Sequence, residues 1–276
     1  MKSKIVAIGL LSLIAVGFVF LLTTSAEEKS TKPSPNTVMT MMMDGNKRFY
    51  TGKSTYPHLN SERLHLAGTE NQAKYAYATV LTCSDSRVPV ELIFDAGVMD
   101  LFVVRVAGNV CDTDEIGSIE YGLAHVNTPL LVVLGHTQCG AVTAVTQSLQ
   151  GHGHQLERNI PALVDNITPA AKRAMDKHHD LHGNDVIPYA IEENVWQSIE
   201  DLFMQSPAVR NIVSEKKAKV VGAIYDVSTG KVKWLDPNRV TQILASVEAS
   251  PKKATEIYQA TMDDETTDKT KSHKEH

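Results

Sequence analysis

Two stretches, Thr82-Cys83-Ser84-Asp85-Ser86-Arg87 and Gly135-His136-Thr137-Gln138-Cys139-Gly140, decide the fold that we predict for this chain. Each directly follows a run of apolar residues, at 78–81 in the first case and at 130–134 in the second. Such short apolar runs before a polar loop are typical of buried strands. Because open α/β sheets place ligands at the carboxyl ends of their strands, we expect the two stretches to meet at one sheet edge.

The rest of the chain alternates strand and helix patterns, which predicts an α/β fold with a mainly parallel central sheet. The parallel strands are expected at 75–83, 100–106, 129–136 and 219–227. Ser228-Thr229-Gly230 is typical of a hairpin turn, so 231–235 should return as an antiparallel edge strand. The flanking helices are expected at 116–126, from 140 onward, and at 162–178, 187–206, 207–215 and 237–250. A methionine-rich amphipathic stretch at 37–50 predicts an N-terminal helical arm that packs on the core or on a partner subunit.

The first 26 residues have the pattern of a signal peptide. Lys2 and Lys4 precede an apolar run at 5–22, and small residues up to Ala26 precede an acidic pair. We expect cleavage after Ala26 and export to the periplasm or the outside, and only an uncleaved segment would hold the domain on a membrane. The predicted organisation continues with a polar spacer at 27–36, one domain at 37–250 and a disordered tail at 251–276.

Length and composition limit the function further. The 276 residues suffice for one α/β domain with a full core. A net charge of -5 and a pI near 6.1 provide no basic surface, so nucleic acid is not an expected partner. Three cysteines exclude a full disulfide framework. Cys111 is expected to be a small buried hydrophobic residue, and an intermolecular disulfide is the alternative.

Cys83, His136 and Cys139 together offer two thiolates and one imidazole. Zinc binds this set of ligands, and three protein ligands leave a fourth position open for water, as in catalytic zinc sites. A disulfide between Cys83 and Cys139 is the alternative, which export makes credible. We favour the metal, because a disulfide assigns no role to His136 or to the neighbouring Asp85 and Arg87.

Asp85 and Arg87 lie two residues apart, directly after the first candidate ligand. The planar guanidinium of Arg87 suits bidentate binding of a carboxylate, so a paired Asp85 would stay ionised as an acceptor close to the metal. A freed Asp85 could instead reach the metal as a fourth ligand and close the site. The other interpretation is an N-cap aspartate beside a solvated arginine.

These motifs together resemble the β-class carbonic anhydrases. That family carries a Cys-x-Asp-x-Arg stretch followed later by His-x-x-Cys, and the chain matches both at Cys83, Asp85, Arg87, His136 and Cys139. Two further segments, 102–109 and 117–121, resemble family segments in the same order. The resemblance spans about residues 38–245 and leaves out both ends of the chain.

The resemblance implies an activity and a role for each residue. It implies one Zn2+ per chain on Cys83, His136 and Cys139, and reversible hydration of CO2 to bicarbonate and a proton by attack of a zinc-bound hydroxide. It also implies that Asp85, paired to Arg87, orients that hydroxide and replaces it on the metal in a closed form. Zinc lowers the pKa of bound water from 15.7 to about 7, which supplies a nucleophile at neutral pH.

A substrate pocket and an assembly are expected as well. Val88, Phe94, Ala107 and Gly108 are candidates for the apolar wall that a small nonpolar gas needs. Members of the family form homodimers and higher homo-oligomers, so we expect the same here. Two alternatives remain, namely an enzyme of the same fold that takes another heterocumulene such as carbon disulfide, and a non-enzymatic zinc-binding module.

Overall fold

The computed structural model describes residues 32–153 and 155–255. The predicted signal peptide, residues 27–31 of the predicted spacer and residues 256–276 of the predicted tail lie outside the described residues. Among the described helices, none combines the length and apolar character that a membrane span requires.

The described strands form one central sheet. They are β1 (Ala78–Thr82), β2 (Leu101–Arg105), β3 (Leu130–His136), β4 (Lys219–Tyr225) and β5 (Val232–Trp234). Their order across the sheet is β2-β1-β3-β4-β5. β1 pairs in parallel with β2 and with β3, β3 pairs in parallel with β4, and β5 runs antiparallel to β4. The predicted mainly parallel sheet with an antiparallel edge strand is therefore confirmed.

Helices cover both faces of this sheet. They are α1 (Pro35–Tyr50), α2 (Ser61–Thr69), α3 (Val90–Ile93), α4 (Thr113–Ala124), α5 (Gly140–Gln147), α6 (Ile160–Asp165), α7 (Thr168–Lys177), α8 (Ile187–Gln205), α9 (Pro207–Ser214) and α10 (Pro237–Ala249). The single helix predicted at 162–178 is wrong, because the chain forms α6 and α7 there. Pro169 has no backbone N–H to donate to a preceding turn, so it sits where a new helix begins.

Alternate residues of the strands point into two hydrophobic layers. Leu131 and Val133 of β3 face the larger layer, which contains α4, α5, α7, α8, α9 and α10. Leu130, Val132 and Leu134 face the smaller layer, which α1 and α3 cover. Because both faces are covered, all seven residues of β3 are buried.

The N-terminal arm predicted at 37–50 is α1, and it packs on the core of its own chain. Ser34 caps the helix by accepting a hydrogen bond from the Thr37 N–H, and Pro35 occupies its first turn. Val38 and Met42 are fully buried in the smaller layer. Farther along α1, a Cβ at Gly45 would lie 1.9 Å from the carbonyl oxygen of Phe94, so the helix approaches that backbone closely.

The strand order creates one distinctive place in the sheet. After β1 the chain crosses to β2 on one side and then returns to β3 on the other side of β1. The carboxyl ends of β1 and β3 therefore lie side by side, with Thr82 opposite Leu134. Open α/β sheets bind their ligands at such a reversal, and both decisive sequence stretches begin here.

Candidate metal centre

Three elements place the predicted ligands together. Cys83 follows the last residue of β1, His136 is the last residue of β3, and Cys139 is the N-cap of α5. Their Sγ and imidazole nitrogen atoms all lie within 4.8 Å of one another, and all three residues are buried. The structure thus brings together the three residues that the sequence predicts as ligands.

The imidazole of His136 has one nitrogen occupied and one directed into the cluster. Nδ1 lies 2.9 Å from the carbonyl oxygen of Thr137, and since a carbonyl only accepts, Nδ1 must carry the proton. In the neutral imidazole, Nε2 then presents a lone pair. Within the described residues this buried nitrogen has no hydrogen-bond partner. A buried nitrogen in this state fits a metal ligand.

The two thiols influence each other strongly. Contact with Cys139 is the largest cause that lowers the pKa of Cys83 well below its usual value, and contact with His136 and the N–H groups of Gly108 and Asp85 acts in the same direction. The pKa of Cys139 is raised by the same contact with Cys83 and by burial. The pair therefore shares a proton until a cation favours ionisation of both sulfurs.

The donor set fits zinc. Two sulfurs and one imidazole nitrogen are ligands that zinc prefers, and a three-residue set leaves one position open to solvent or substrate. Cys83, Cys111 and Cys139 are all free thiols in the structure, which argues against the disulfide alternative. Cys111 is buried, as predicted.

Asp85 and Arg87 form the predicted bidentate pair. Arg87 Nε lies 2.9 Å from Asp85 Oδ1, and Nη2 lies 2.8 Å from Oδ2. The backbone N–H of Arg87 also donates to Oδ1. The side-chain hydrogen bonds from Arg87 hold the pKa of Asp85 well below its usual range. Oδ2 of this ionised carboxylate lies 4.0 Å from His136 Nε2, so the acceptor lies beside the three ligands.

Arg87 also connects the two ligand loops. Its Nη2 donates to the backbone oxygen of Gln138 at 3.0 Å, and its Nη1 donates to Gln138 Oε1 at 3.2 Å. Gln138 lies between the ligands His136 and Cys139 and has a left-handed backbone with φ of 58°. One guanidinium thus fixes the loop after β1 against the loop after β3.

Arg105 also contacts the site, which the sequence did not predict. It ends β2, and its Nε donates to the carbonyl oxygen of Cys83 at 3.0 Å while Nη2 donates to that of Asp85 at 2.7 Å. The sequence signal would have been its position, since β2 neighbours β1 and ends at the same sheet edge. Arg105 thereby holds the backbone that carries both a ligand and the carboxylate.

The four predicted pocket residues lie in different surroundings. Gly108 donates its N–H to Cys83 Sγ at 3.2 Å, and half-buried Ala107 precedes it. The N–H of buried Val88 donates to the carbonyl oxygen of Asp85. Phe94 is buried in the smaller layer, where its ring centroid lies 6.1 Å from that of Trp234. Three of the four therefore lie within a residue or a hydrogen bond of the site, and Phe94 packs mainly within the core.

Comparison with known proteins identifies the family of this chain. A family model described as carbonic anhydrase matches residues 78–232. A carbonic anhydrase of Mycolicibacterium smegmatis is 33% identical over 195 residues, which cover 69% of this chain and 88% of the relative. Carbonic anhydrase 2 of Mycobacterium tuberculosis is 32% identical over 190 residues, which cover 69% and 87%.

Solved structures give the same result for the fold. The β-carbonic anhydrase CcaA superposes with a TM-score of 0.54 at 26% identity, covering 72% of this chain and 88% of that one. The β-carbonic anhydrase CafA of Aspergillus fumigatus has a TM-score of 0.57 at 23% identity, with 76% and 98% covered. One of two β-carbonic anhydrases of Sordaria macrospora, described as tetrameric, has a TM-score of 0.54 at 23% identity, with 72% and 97% covered.

Proposed function

This chain belongs to the β-class carbonic anhydrase family, and from that membership we propose how its own residues carry out the reversible hydration of CO2 to bicarbonate and a proton. The single observation that carries the proposal is the juxtaposition of the three buried candidate ligands with the ionised Asp85. A purely structural zinc site needs no such carboxylate. The non-enzymatic alternative therefore loses its support.

Cys83, His136 and Cys139 would hold one zinc ion through two Sγ atoms and Nε2. When bound, zinc lowers the pKa of water at its open position to about 7 and so supplies a nucleophile at neutral pH. Asp85, which Arg87 keeps ionised, provides an acceptor oxygen beside that position and orients the reacting water. Both Asp85 oxygens are engaged by Arg87, which favours the open form of the site over the form in which Asp85 binds the metal.

The substrate side of the site is proposed to be apolar. Val88, Ala107 and Gly108 lie next to the ligand loops and would exclude water from the approach of CO2, with Phe94 supporting them from the core. Apolar side chains in this wall form no hydrogen bonds to water that CO2 would have to displace. The polar contacts that bicarbonate needs would come from the ligand side of the pocket.

The test is CO2 hydration by stopped flow on the purified full chain, together with zinc content. We expect about one zinc per chain and activity near neutral pH. Asp85→Asn keeps the size of the side chain and should lower the rate by about 100-fold or more with zinc retained. Asp44→Asn, an exposed substitution on α1, is the matched control and should leave the rate unchanged. Zinc-loaded protein without activity, or full activity in Asp85→Asn, would contradict the proposal.

We also propose that the domain is exported, on the sequence of residues 1–26 alone. Cleavage after Ala26 would leave Glu27 as the first residue of the mature protein. N-terminal sequencing of the protein recovered from the periplasm or the medium tests this. An intact Met1 on protein that remains in the cytoplasm would contradict it.

A homo-oligomer is proposed as the working form. β2 lies at the edge of the sheet and has β1 as its one neighbour among the described strands, so its other side carries unpaired backbone groups. Half-exposed Tyr121 stacks on His125 and lies 6.0 Å from Phe102 of β2, which adds an aromatic face at the same edge. A second copy of the chain fits this face. The Sordaria macrospora structure, described as one of two tetrameric β-carbonic anhydrases, supports this proposal.

A further inference from the structure

The segment Ala107–Asn109 supplies a hydrogen bond to a candidate metal ligand from an unusual backbone. Gly108 has φ of 73° and Asn109 has φ of 46°, so two consecutive residues are left-handed. In this conformation the Gly108 N–H lies 3.2 Å from Cys83 Sγ. A Cβ at Gly108 would lie 2.7 Å from Ile167 Cδ1, so the backbone is also tightly enclosed. Glycine and asparagine adopt the left-handed conformation more readily than other residues, and contacts from the surroundings then hold the segment in place.

Two side chains of α8 provide that hold. Asn194 Nδ2 donates to the carbonyl oxygen of Gly108 at 2.7 Å, and Ser198 Oγ donates to that of Asn109 at 2.7 Å. The Ser198 hydroxyl also lies 2.9 Å from the carbonyl oxygen of Asn194 in its own helix. Asn194 and Ser198 lie one turn apart, and each is only 1% exposed. Side chains this deeply buried, with partners this close, have little freedom to move.

The same helix is fixed against the strand that carries the histidine ligand. A Cβ at Gly135 of β3 would lie 2.7 Å from Val195 Cγ2, so α8 packs directly on the strand backbone just before His136. Val195 is adjacent to Asn194 in the chain. One helix therefore contacts both β3 and the segment that reaches Cys83, through residues that are adjacent in the chain.

We propose that Asn194 and Ser198 are positioning residues of the metal centre, which hold the Gly108 N–H on the sulfur of Cys83 and hold that sulfur in register with His136. This inference rests on the proposed function, because it concerns the sulfur that would bind zinc. Partners in the second layer around a metal orient its ligands and adjust how strongly they donate charge. An N–H directed at a thiolate does both, since it restrains the sulfur and draws charge from it.

The experiment measures metal affinity and ligand electronics rather than activity alone. Zinc affinity is determined by competition with a chelator, and the cobalt-substituted full chain is examined for its thiolate-to-cobalt absorption band. In Asn194→Ala we expect about 10- to 100-fold weaker zinc binding and a displaced absorption band. Ser198→Ala removes only a hydroxyl, so it should fold readily, and it should change both properties in the same direction.

Asn46→Ala is the matched control. Asn46 is also buried, and its side chain bonds the backbone of Ile93, Gly230 and Val232. It should lower the melting temperature without changing zinc affinity or the cobalt band. If both α8 variants melt earlier but keep wild-type affinity and wild-type absorption, the inference is overturned. If Asn194→Ala does not fold, Ser198→Ala decides alone, whereas a wild-type chain that binds neither metal would refute the proposed function instead.

Discussion

At the residue scale, Arg87 does more than pair with one carboxylate. Its guanidinium spans Asp85 on one loop and Gln138 on the other, with four side-chain hydrogen bonds between 2.8 and 3.2 Å. The planar fork of arginine permits this arrangement, whereas the single ammonium of lysine cannot bind both carboxylate oxygens and Gln138 together. We therefore expect that charge alone is not sufficient at this position.

Arg87→Lys should keep the positive charge but lose the bidentate hydrogen bonds to Asp85 and the bonds to Gln138. We expect CO2 hydration to fall by about 10-fold or more, because Asp85 is no longer held beside the ligands, while zinc content stays near that of the wild type. Stopped-flow rates and metal analysis on the same preparation check this. Arg158→Lys, an exposed exchange of the same kind, serves as the control. A lysine variant with wild-type rates would show that charge suffices.

The sequence predicted the candidate ligands and the Asp85–Arg87 pair because these residues lie in two short motifs with characteristic spacing. The contacts of Arg105, Asn194 and Ser198 were not predicted. Asn194 meets Gly108 across 86 residues of chain, so the contact depends on how α8 packs and leaves no local pattern. A short motif can be found by inspection, but a long-range contact to a backbone carbonyl requires the fold.

Asp201 offers a residue-scale prediction about pH. Burial raises the pKa of Asp201 to about 6, with Glu200 contributing. Asp201 therefore keeps its proton to a higher pH in the folded state than in the unfolded state. Its ionisation lowers the free energy of unfolding as pH rises from about 4 to about 6. Gln197 Nε2 donates to Asp201 Oδ1 at 2.7 Å, and an amide oxygen can accept the same bond.

Asp201→Asn should therefore raise the free energy of unfolding by about 1–2 kcal/mol at pH 7.5 and give little gain at pH 4. Urea denaturation at the two pH values measures the difference. Asp176→Asn, on an exposed position of α7, removes the same charge without the burial and should show no such contrast. An equal effect of Asp201→Asn at both pH values would contradict the assigned cause.

At the element scale, the apolar patterns found each strand and most helices, and the errors have physical causes. The strand predicted at 75–83 narrows to Ala78–Thr82, because the residues before it bond to helical and loop carbonyls instead of the sheet. α2 was not predicted, since its helix buries only Arg63 and so lacks an apolar stripe. The helix breaks between α6 and α7 because of Pro169. The helical spacing of apolar residues in this region does not reveal that break.

The contact between α1 and the end of α3 gives an element-scale prediction. Gly45→Ala would place a methyl group 1.9 Å from the carbonyl oxygen of Phe94, so α1 must move away from the core. We expect a loss of about 2 kcal/mol or more in the free energy of unfolding. Gly68→Ala in α2 is the control, because a Cβ there meets no atom within 4 Å, and it should be neutral or stabilising by about 0.5–1 kcal/mol. Chemical denaturation of both variants compares them directly.

At the scale of the whole molecule, the unpaired side of β2 and the aromatic group around Tyr121 predict where copies associate. Tyr121→Lys should place a charge on the proposed contact and shift the protein to a smaller species, because burying an unpaired ammonium is unfavourable. Sedimentation velocity on wild type and variant measures this. Tyr189→Lys, at a similarly exposed tyrosine on α8, is the control. If Tyr121→Lys sediments like the wild type, the interface must lie on another part of the molecule.

The reversal of strand order between β1 and β3 also has a kinetic consequence. The pairing of Thr79 with Leu131 joins residues far apart in the chain, and so does the pairing of Leu131 with Val220. Contacts of such long range form slowly, because the loops between them must close first. Until these strands pair, Cys83 and Cys139 lie in parts of the chain that have not yet folded. Oxidants can then reach both thiols, and the two thiols can react with each other. Under the proposed export to an oxidising compartment, the sheet must therefore assemble before these thiols are oxidised.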